Sequence, residues 1–122
     1  MNRVEWRKIL TKSCEDAGTY RPFFDSAIDT LSGILERRDD AEEKYIASGG
    51  NPVITHYGDR SKQPNIVKNP ILVMLNDLNS QALAYWRDLG LTPSGYKKLN
   101  ADLIEEKRQG NFDKFLEKLL DD

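Results

Sequence analysis

The stretch DLGLTPSGYKKL, Asp88–Leu99, ends one helical pattern and begins another within four residues. Gly90 can adopt the left-handed backbone conformation that ends a helix at little cost. Thr92 can cap the following helix, and Pro93 suits its first position because the N–H there has no helical partner. The stretch therefore predicts that the chain changes direction sharply after a long helix.

Two long helical patterns precede this break. Apolar residues recur at helical spacing over residues 22–48 and again over residues 70–89. Gly49 and Gly50 end the first pattern, and Pro70 suits the first turn of the second. At about 1.5 Å per residue the two helices span about 40 Å and about 30 Å. Because their lengths are comparable and a short segment joins them, they are expected to form an antiparallel pair.

The joining segment, residues 51–69, has the pattern of a small β-hairpin. β-Branched residues favour one strand over Val53–Tyr57 and a second over Asn65–Lys68. The polar residues Gly58–Gln63 then form the turn. The hairpin is expected to lie at one end of the helical pair.

Shorter helices are expected on both sides of the pair. Asn2 and Glu5 have the spacing of a capping box, and Gly18 can end the helix that follows. After Pro93, the pattern is expected to break at Gly110 and restart with Asn111 as a cap.

The predicted fold class is all-α with a small β-hairpin, in which a long antiparallel helical pair is flanked by short N- and C-terminal helices. Residues 1–109 are expected to form the core, with the hairpin at about residues 51–69 as an insertion. Residues 110–122 are expected to form a separate C-terminal helix.

The composition limits the function classes. The 122 residues carry a net charge of −2, with 31% charged and 39% hydrophobic residues. No apolar run approaches the roughly 18 residues of a membrane span, and MNRVEWRKIL lacks the apolar stretch of a signal peptide. An intracellular protein with no membrane partner is therefore expected.

Catalytic and metal-binding patterns are missing from the sequence. There is no phosphate-binding loop, no dinucleotide-binding glycine motif and no HExxH pair. Cys14 and His56 are the only residues of their types, so Cys14 is expected to be a packed residue and His56 a surface residue. The sequence predicts a protein that is not an enzyme and has no cofactor or metal.

Two apolar surfaces exceed what one helical partner requires. The third predicted helix is apolar around nearly half of its circumference, whereas a single partner needs about 100°. Its candidate oligomer-interface residues are Leu72, Leu75, Leu78, Leu83 and Trp86. The last predicted helix has an apolar face that either packs on the body or docks a partner, made of Phe112, Phe115, Leu116, Leu119 and Leu120.

Basic residues form small, separate groups rather than one dense face. Residues 1–21 carry five basic and three acidic side chains. Two interpretations of such groups are open, which are ordinary solubilising charge, favoured for any single residue, and phosphate contact, in which a single copy would bind nucleic acid weakly. The candidate DNA-binding residues are Arg3, Arg7, Lys8, Lys12, Lys97 and Lys98, and a further basic group contains Arg60, Lys62 and Lys68.

Three motifs occur in a distinctive order along the chain. A Glu5–Arg7 helix start (EWR) is followed by the Asn69–Pro70 helix opening and then by Leu-Gly-Leu-Thr-Pro-Ser at Leu89–Ser94. Over about residues 3–100 this ordered set resembles the phage terminase small subunit, in the family whose core domain ends with that signature.

The resemblance implies a non-enzymatic subunit of a genome-packaging motor. Such subunits form rings, recognise the viral packaging site in double-stranded DNA, and deliver that DNA to the large terminase subunit in the host cell cytoplasm. Large-subunit docking is then the role expected of the apolar face between Phe112 and Leu120. Two alternatives remain open, which are a small helical DNA-binding regulator and a protein adaptor that does not bind DNA.

Overall fold

The computed structural model describes residues 1–56 and 63–120, apart from the side chain of Leu103. The chain is mainly helical, with one two-stranded antiparallel sheet. The predicted fold class is confirmed. In chain order the elements are α1 (Arg3–Ala17), a 3-10 turn (Pro22–Phe24), α2 (Asp25–Ala47), β1 (Val53–His56), β2 (Asn65–Lys68), α3 (Pro70–Asp88) and α4 (Pro93–Leu120).

The capping box predicted for α1 is confirmed. The Asn2 side chain accepts a 2.8 Å hydrogen bond from the backbone N–H of Glu5, and the Glu5 carboxylate accepts from the N–H of Asn2. These reciprocal bonds satisfy two N–H groups that the first turn would otherwise leave free. Gly18 ends the helix with φ 72°.

The hairpin strands lie where the sequence predicts them. β1 and β2 pair antiparallel, with Val53 opposite Lys68 and His56 opposite Asn65. His56 is exposed, as predicted. Residues 57–62, which include most of the predicted turn together with Arg60 and Lys62, lie outside the described residues.

The junction between α3 and α4 forms as the opening stretch predicts. Gly90 has φ 74°, a conformation that favours glycine. The Thr92 hydroxyl accepts a 3.1 Å hydrogen bond from the N–H of Gly95 in the first turn of α4. A Cβ on Gly95 would collide with the carbonyl oxygen of Arg87, so α3 and α4 meet closely at this point.

The core lies mainly between α2 and α3, and α1 also packs on α2. α1 contributes Leu10 and Cys14 to the core, whereas Ile9 on the same helix is exposed. Cys14 is fully buried, as predicted for a packed residue. The buried apolar residues are Leu10, Cys14, Ile28, Leu31, Ile34, Leu35, Ala41, Leu75, Leu78, Ala82 and Leu89.

The prediction of a helix break at Gly110 is wrong. α4 continues through Gly110 and Asn111 to Leu120. A glycine inside a helix costs only about 0.5–1 kcal/mol relative to alanine, and the helical residues on both sides offset that cost. The C-terminal helix is therefore the continuation of one 28-residue helix, not a short element of its own. Among the described residues, no helix is both long and apolar enough to cross a membrane.

Candidate nucleic-acid and assembly surfaces

Two of the predicted DNA-binding residues on α1 are held by an acidic residue of α2. Arg3 Nη2 lies 2.8 Å from Asp29 Oδ2, and Arg7 Nη2 lies 2.6 Å from Asp29 Oδ1. The hydrogen bond from Arg3 is the main cause that lowers the pKa of Asp29, and the charges of both arginines lower it further. Asp29 therefore neutralises part of the positive charge that Arg3 and Arg7 present to solvent.

Lys8 and Lys12 differ from these arginines in having no such partner. Both side chains are exposed, and neither forms an ion pair with any residue in the described part of the chain. They are four residues apart on α1, so they lie on the same face, where like charges repel. An anion bound between them would relieve this repulsion. Because Asp29 pairs with Arg3 and Arg7, Lys8 and Lys12 form the least neutralised cationic site on α1.

The other predicted basic pair, Lys97 and Lys98, lies on a different part of the molecule. Both are exposed in the first turns of α4, which packs on α3. Lys98 lines an open cleft of about 440 Å³ together with Arg87 and two acidic residues, Asp88 and Asp102. The two cations of this cleft face two carboxylates, so the cleft itself is not a strongly cationic site.

The predicted oligomer interface on α3 divides into buried and accessible residues. Leu75 and Leu78 belong to the core, where they pack against α2. Leu72 and Trp86 are half-buried, whereas Leu83 is 47% exposed. Within this set, the apolar surface left for a neighbouring chain is therefore centred on Leu83 and the exposed side of Leu72.

A second apolar surface was not predicted from the sequence. The hairpin exposes apolar side chains on both faces, with Val53 and Ile66 on one face and Ile54 and Val67 on the other. Its base and the outer side of α3 enclose a groove of about 450 Å³, lined by Val53, Leu72 and Val73 among others. The signal for this surface was present in the sequence, because both strands are rich in Val and Ile while the hairpin is too small to cover either face.

Trp86 has a role inside the chain. The Arg38 guanidinium carbon lies 5.5 Å from the ring centroid of Trp6 and 5.9 Å from that of Trp86, which is within cation–π range. The neighbouring Asp39 accepts a 2.7 Å hydrogen bond from the Trp6 indole N–H. Burial would raise the pKa of Asp39, but hydrogen bonds from Trp6, Arg38 and the N-terminal amine produce a net decrease. Trp6 and Trp86 thus help to join α1, α2 and α3.

The C-terminal half of α4 is uncovered. Every side chain that the structure describes between residues 100 and 120 is exposed, including 58% of Phe115 and 84% of Leu120. In this structure the described side chains of the segment therefore do not pack on α2 or α3. The apolar residues predicted for docking are therefore accessible to a partner, namely Phe112, Phe115, Leu116, Leu119 and Leu120.

Cys14 is the one cysteine of the sequence, and its side chain is buried. Burial raises the pKa of the Cys14 thiol, which therefore stays protonated and unreactive. Within residues 1–56 and 63–120, no three His, Cys, Asp or Glu side chains are grouped so that they could hold a metal ion.

The scaffold is helical and leaves apolar surface uncovered on α3, the hairpin and α4, a feature typical of proteins that interact with partners. Comparison of sequences defines the family: the model of the phage terminase small subunit matches residues 3–106. The chain belongs to this family, which confirms the resemblance found in the sequence. Searches of curated proteins and of solved structures found no match.

Proposed function

We propose that this chain is the DNA-recognition subunit of a phage genome-packaging motor. It assembles into a homo-oligomeric ring, binds the viral packaging site in double-stranded DNA, and delivers that DNA to the large terminase subunit in the host cell cytoplasm. The reaction chemistry belongs to the large subunit, and this chain is not an enzyme. The family match over residues 3–106 is the observation that carries the proposal.

The proposed DNA-binding surface is the basic side of α1. Lys8 and Lys12 supply cationic groups with no ion-pair partner among the described residues, and Arg3 and Arg7 add the part of their charge that Asp29 leaves. Two to four phosphate contacts per copy give weak binding. A ring repeats these contacts, and linked sites bind at a high effective concentration. Lys97 and Lys98 form the second candidate surface.

The proposed ring contacts lie on the outer side of α3 and on the hairpin. The face of α3 that carries Leu72 and Leu83 and the exposed hairpin around Ile66 provide separate apolar patches on one chain. When two different patches of the same chain meet head to tail, the assembly closes into a ring if the rotation allows it. Docking of the large subunit is proposed for the uncovered apolar face of α4 between Phe112 and Leu120.

Solution mass and DNA binding test this proposal together. A ring has many times the 14.0 kDa mass of one chain, and its mass rises further when DNA carrying the packaging site is added. A mass no greater than twice that of the chain would favour a small regulator. A large assembly that never binds DNA would favour an adaptor.

The double variant Lys8→Glu and Lys12→Glu tests the surface on α1. Neither residue has an internal ion pair in the described structure, so the fold should be retained while DNA affinity falls and its salt dependence becomes weaker. Lys97→Glu with Lys98→Glu is the matched comparison, with the same charge change on α4. If only the second variant weakens binding, DNA contacts α4 rather than α1.

A further inference from the structure

Charge is sorted to two sides of an apolar stripe on the C-terminal half of α4. At about 100° per residue, the stripe covers an arc of about 160°. Three acidic residues lie beyond one edge of this arc, and three lysines lie beyond the other. The stripe consists of Ile104, Phe112, Phe115, Leu116, Leu119 and Leu120. The acidic side consists of Glu106, Asp113 and Glu117, and the lysine side consists of Lys107, Lys114 and Lys118.

This stripe does not continue the side of α4 that packs on the body. Leu99 is the last described residue of the helix that is half-buried. Phe112, near the centre of the stripe, lies about 140° around the helix from Leu99. Because α4 runs unbroken through Gly110, the chain has no bend there that could turn the stripe back onto α2 or α3. No other part of the chain that the structure describes covers the stripe, which leaves it open to a partner.

The charged residues themselves favour an external partner. Asp113 and Glu117 are four residues apart on the helix, as are Lys114 and Lys118, and like charges at this spacing destabilise an isolated helix. Among the residues that the structure describes, no charged side chain of α4 forms an ion pair. Opposite charges from a neighbouring molecule would remove both repulsions.

A second copy of the same helix provides those charges in only one orientation. When two such helices lie parallel with their stripes in contact, the lysine side of one faces the acidic side of the other. When they lie antiparallel, lysines face lysines and carboxylates face carboxylates. The same rule governs the flanking charges of coiled coils. The sorted charges therefore select the parallel arrangement.

We propose that the C-terminal halves of α4 from different copies of this chain associate in parallel, with the apolar stripe shared between copies and each lysine side against the next acidic side. This inference rests on the proposed homo-oligomer and adds a contact and an orientation to it. Two charged residues, Glu105 and Arg108, also lie within the arc of the stripe, and their three-residue spacing places their opposite charges to balance each other. A single helical partner covers about 100° of a helix. In a ring each helix has two neighbours, so the large subunit would contact only the part of the stripe that both neighbours leave uncovered.

Cysteine crosslinking of the full-length chain tests the orientation. Ile104→Cys and Leu119→Cys place a thiol at two levels of the stripe, about 22 Å apart along the helix. Cys14 is buried and its thiol pKa is raised, so it does not compete. With a short bifunctional thiol reagent, each variant should crosslink to itself. A mixture of the two, one carrying a tag, should give no mixed product. Gly110→Cys, on the opposite side of the helix, is the control that should not crosslink.

A mixed Ile104–Leu119 product would show antiparallel association and overturn the inference. An absence of crosslinks in an assembly of ring mass would also overturn it, because the copies would then be joined elsewhere while the proposed function stands. A monomeric mass would reject the ring and this inference together.

Charge reversal tests the sorting in the Leu119→Cys background. Changing Lys107, Lys114 and Lys118 to Glu should lower the crosslinked fraction several-fold, since both sides are then acidic. Changing Glu106, Asp113 and Glu117 to Lys should do the same. Combining the two sets exchanges the sides and keeps the net charge, so crosslinking should recover. The proposal fails if the variant with all six changes crosslinks as poorly as the two variants with three changes. It also fails if neither variant with three changes alters the crosslinked fraction, because the charges then do not direct the contact.

Discussion

Asp29 is the residue whose contacts most change the interpretation of the basic surface. It receives hydrogen bonds from both Arg3 and Arg7, which were predicted to contact DNA. These bonds join the start of α1 to α2 and reduce the free positive charge nearby. One carboxylate therefore links the stability of the fold to the charge that α1 can offer to phosphate.

Replacement of Asp29 by Asn should lower stability and raise DNA affinity. The folded-state pKa of Asp29 is lowered, so its ion pairs stabilise the protein above the pKa of the unfolded chain and lose their effect as pH falls through the folded-state pKa. The melting temperature of Asp29→Asn should therefore be lower than that of the parent near neutral pH and approach it in acid.

The same replacement frees Arg3 and Arg7, so DNA binding should become tighter and more dependent on salt. Asp40→Asn is the matched control. Asp40 is an exposed carboxylate of α2, and its replacement changes the net charge by the same amount. Equal effects of the two substitutions on DNA affinity would show that overall charge, not the surface of α1, is responsible.

Among the elements, α4 departs most from what the sequence pattern predicts. The sequence contains a glycine followed by a good capping residue, a combination typical of a helix end and a new start. The helix instead continues, and Gly110 has open space where a Cβ would be. Continuity matters because it places the apolar residues beyond Gly110 on a side that the body does not cover.

Gly110→Ala should raise helix stability by about 0.5–1 kcal/mol, because alanine loses less backbone entropy in a helix and meets no neighbouring atom here. Helical circular dichroism and the melting temperature measure the effect. Gly95→Ala in the same helix should have the opposite effect on stability. The Cβ of alanine at this position would collide with the Arg87 carbonyl oxygen and destabilise the junction between α3 and α4. A loss of stability in Gly110→Ala would mean that the chain needs a bend at this position.

For the whole molecule, the main feature is how much apolar surface one chain leaves uncovered. Leu83 on α3, Ile66 on the hairpin and Phe112 on α4 are each about half exposed or more. They belong to three elements, so no movement of a single side chain covers them all. The complete protein is expected to be an assembly in which neighbouring copies and the large subunit share these surfaces.

Leu72→Ser together with Leu83→Ser should lower the oligomeric state while most helix content remains. The two residues are eleven apart on α3 and lie on the same face, and each interface loses on the order of 1–2 kcal/mol of apolar burial. Light scattering measures the mass. Val4→Ser, an exposed apolar position on α1, should leave the mass unchanged. An unchanged mass in the double variant would remove this face of α3 from the interface.

Truncation after Gln109 should remove large-subunit binding without melting the core. The described side chains of the deleted segment, within residues 110–120, are all exposed, so the melting temperature of the helical body should stay close to that of the full chain. A pull-down with the large subunit, at a concentration where the truncated chain still has its assembled mass, measures docking. Retention of the large subunit would exclude the segment as its docking site, and a marked drop in melting temperature would make the segment structural.

The sequence by itself determined the helices, the hairpin and their boundaries wherever a local cause is sufficient. The capping box at Asn2, the proline at Pro70 and the glycine at Gly90 act through their own backbone and nearest neighbours, so their effects can be predicted from a few residues. Only the tertiary structure decided which apolar residues of each pattern stay exposed and which charged residues have no ion pair. Periodicity placed Leu75 and Leu83 in one apolar stripe, but packing against α2 buries the first and leaves the second exposed. In the same way, Arg7 and Lys8 are equivalent charges in sequence, and only the position of Asp29 on another helix distinguishes them.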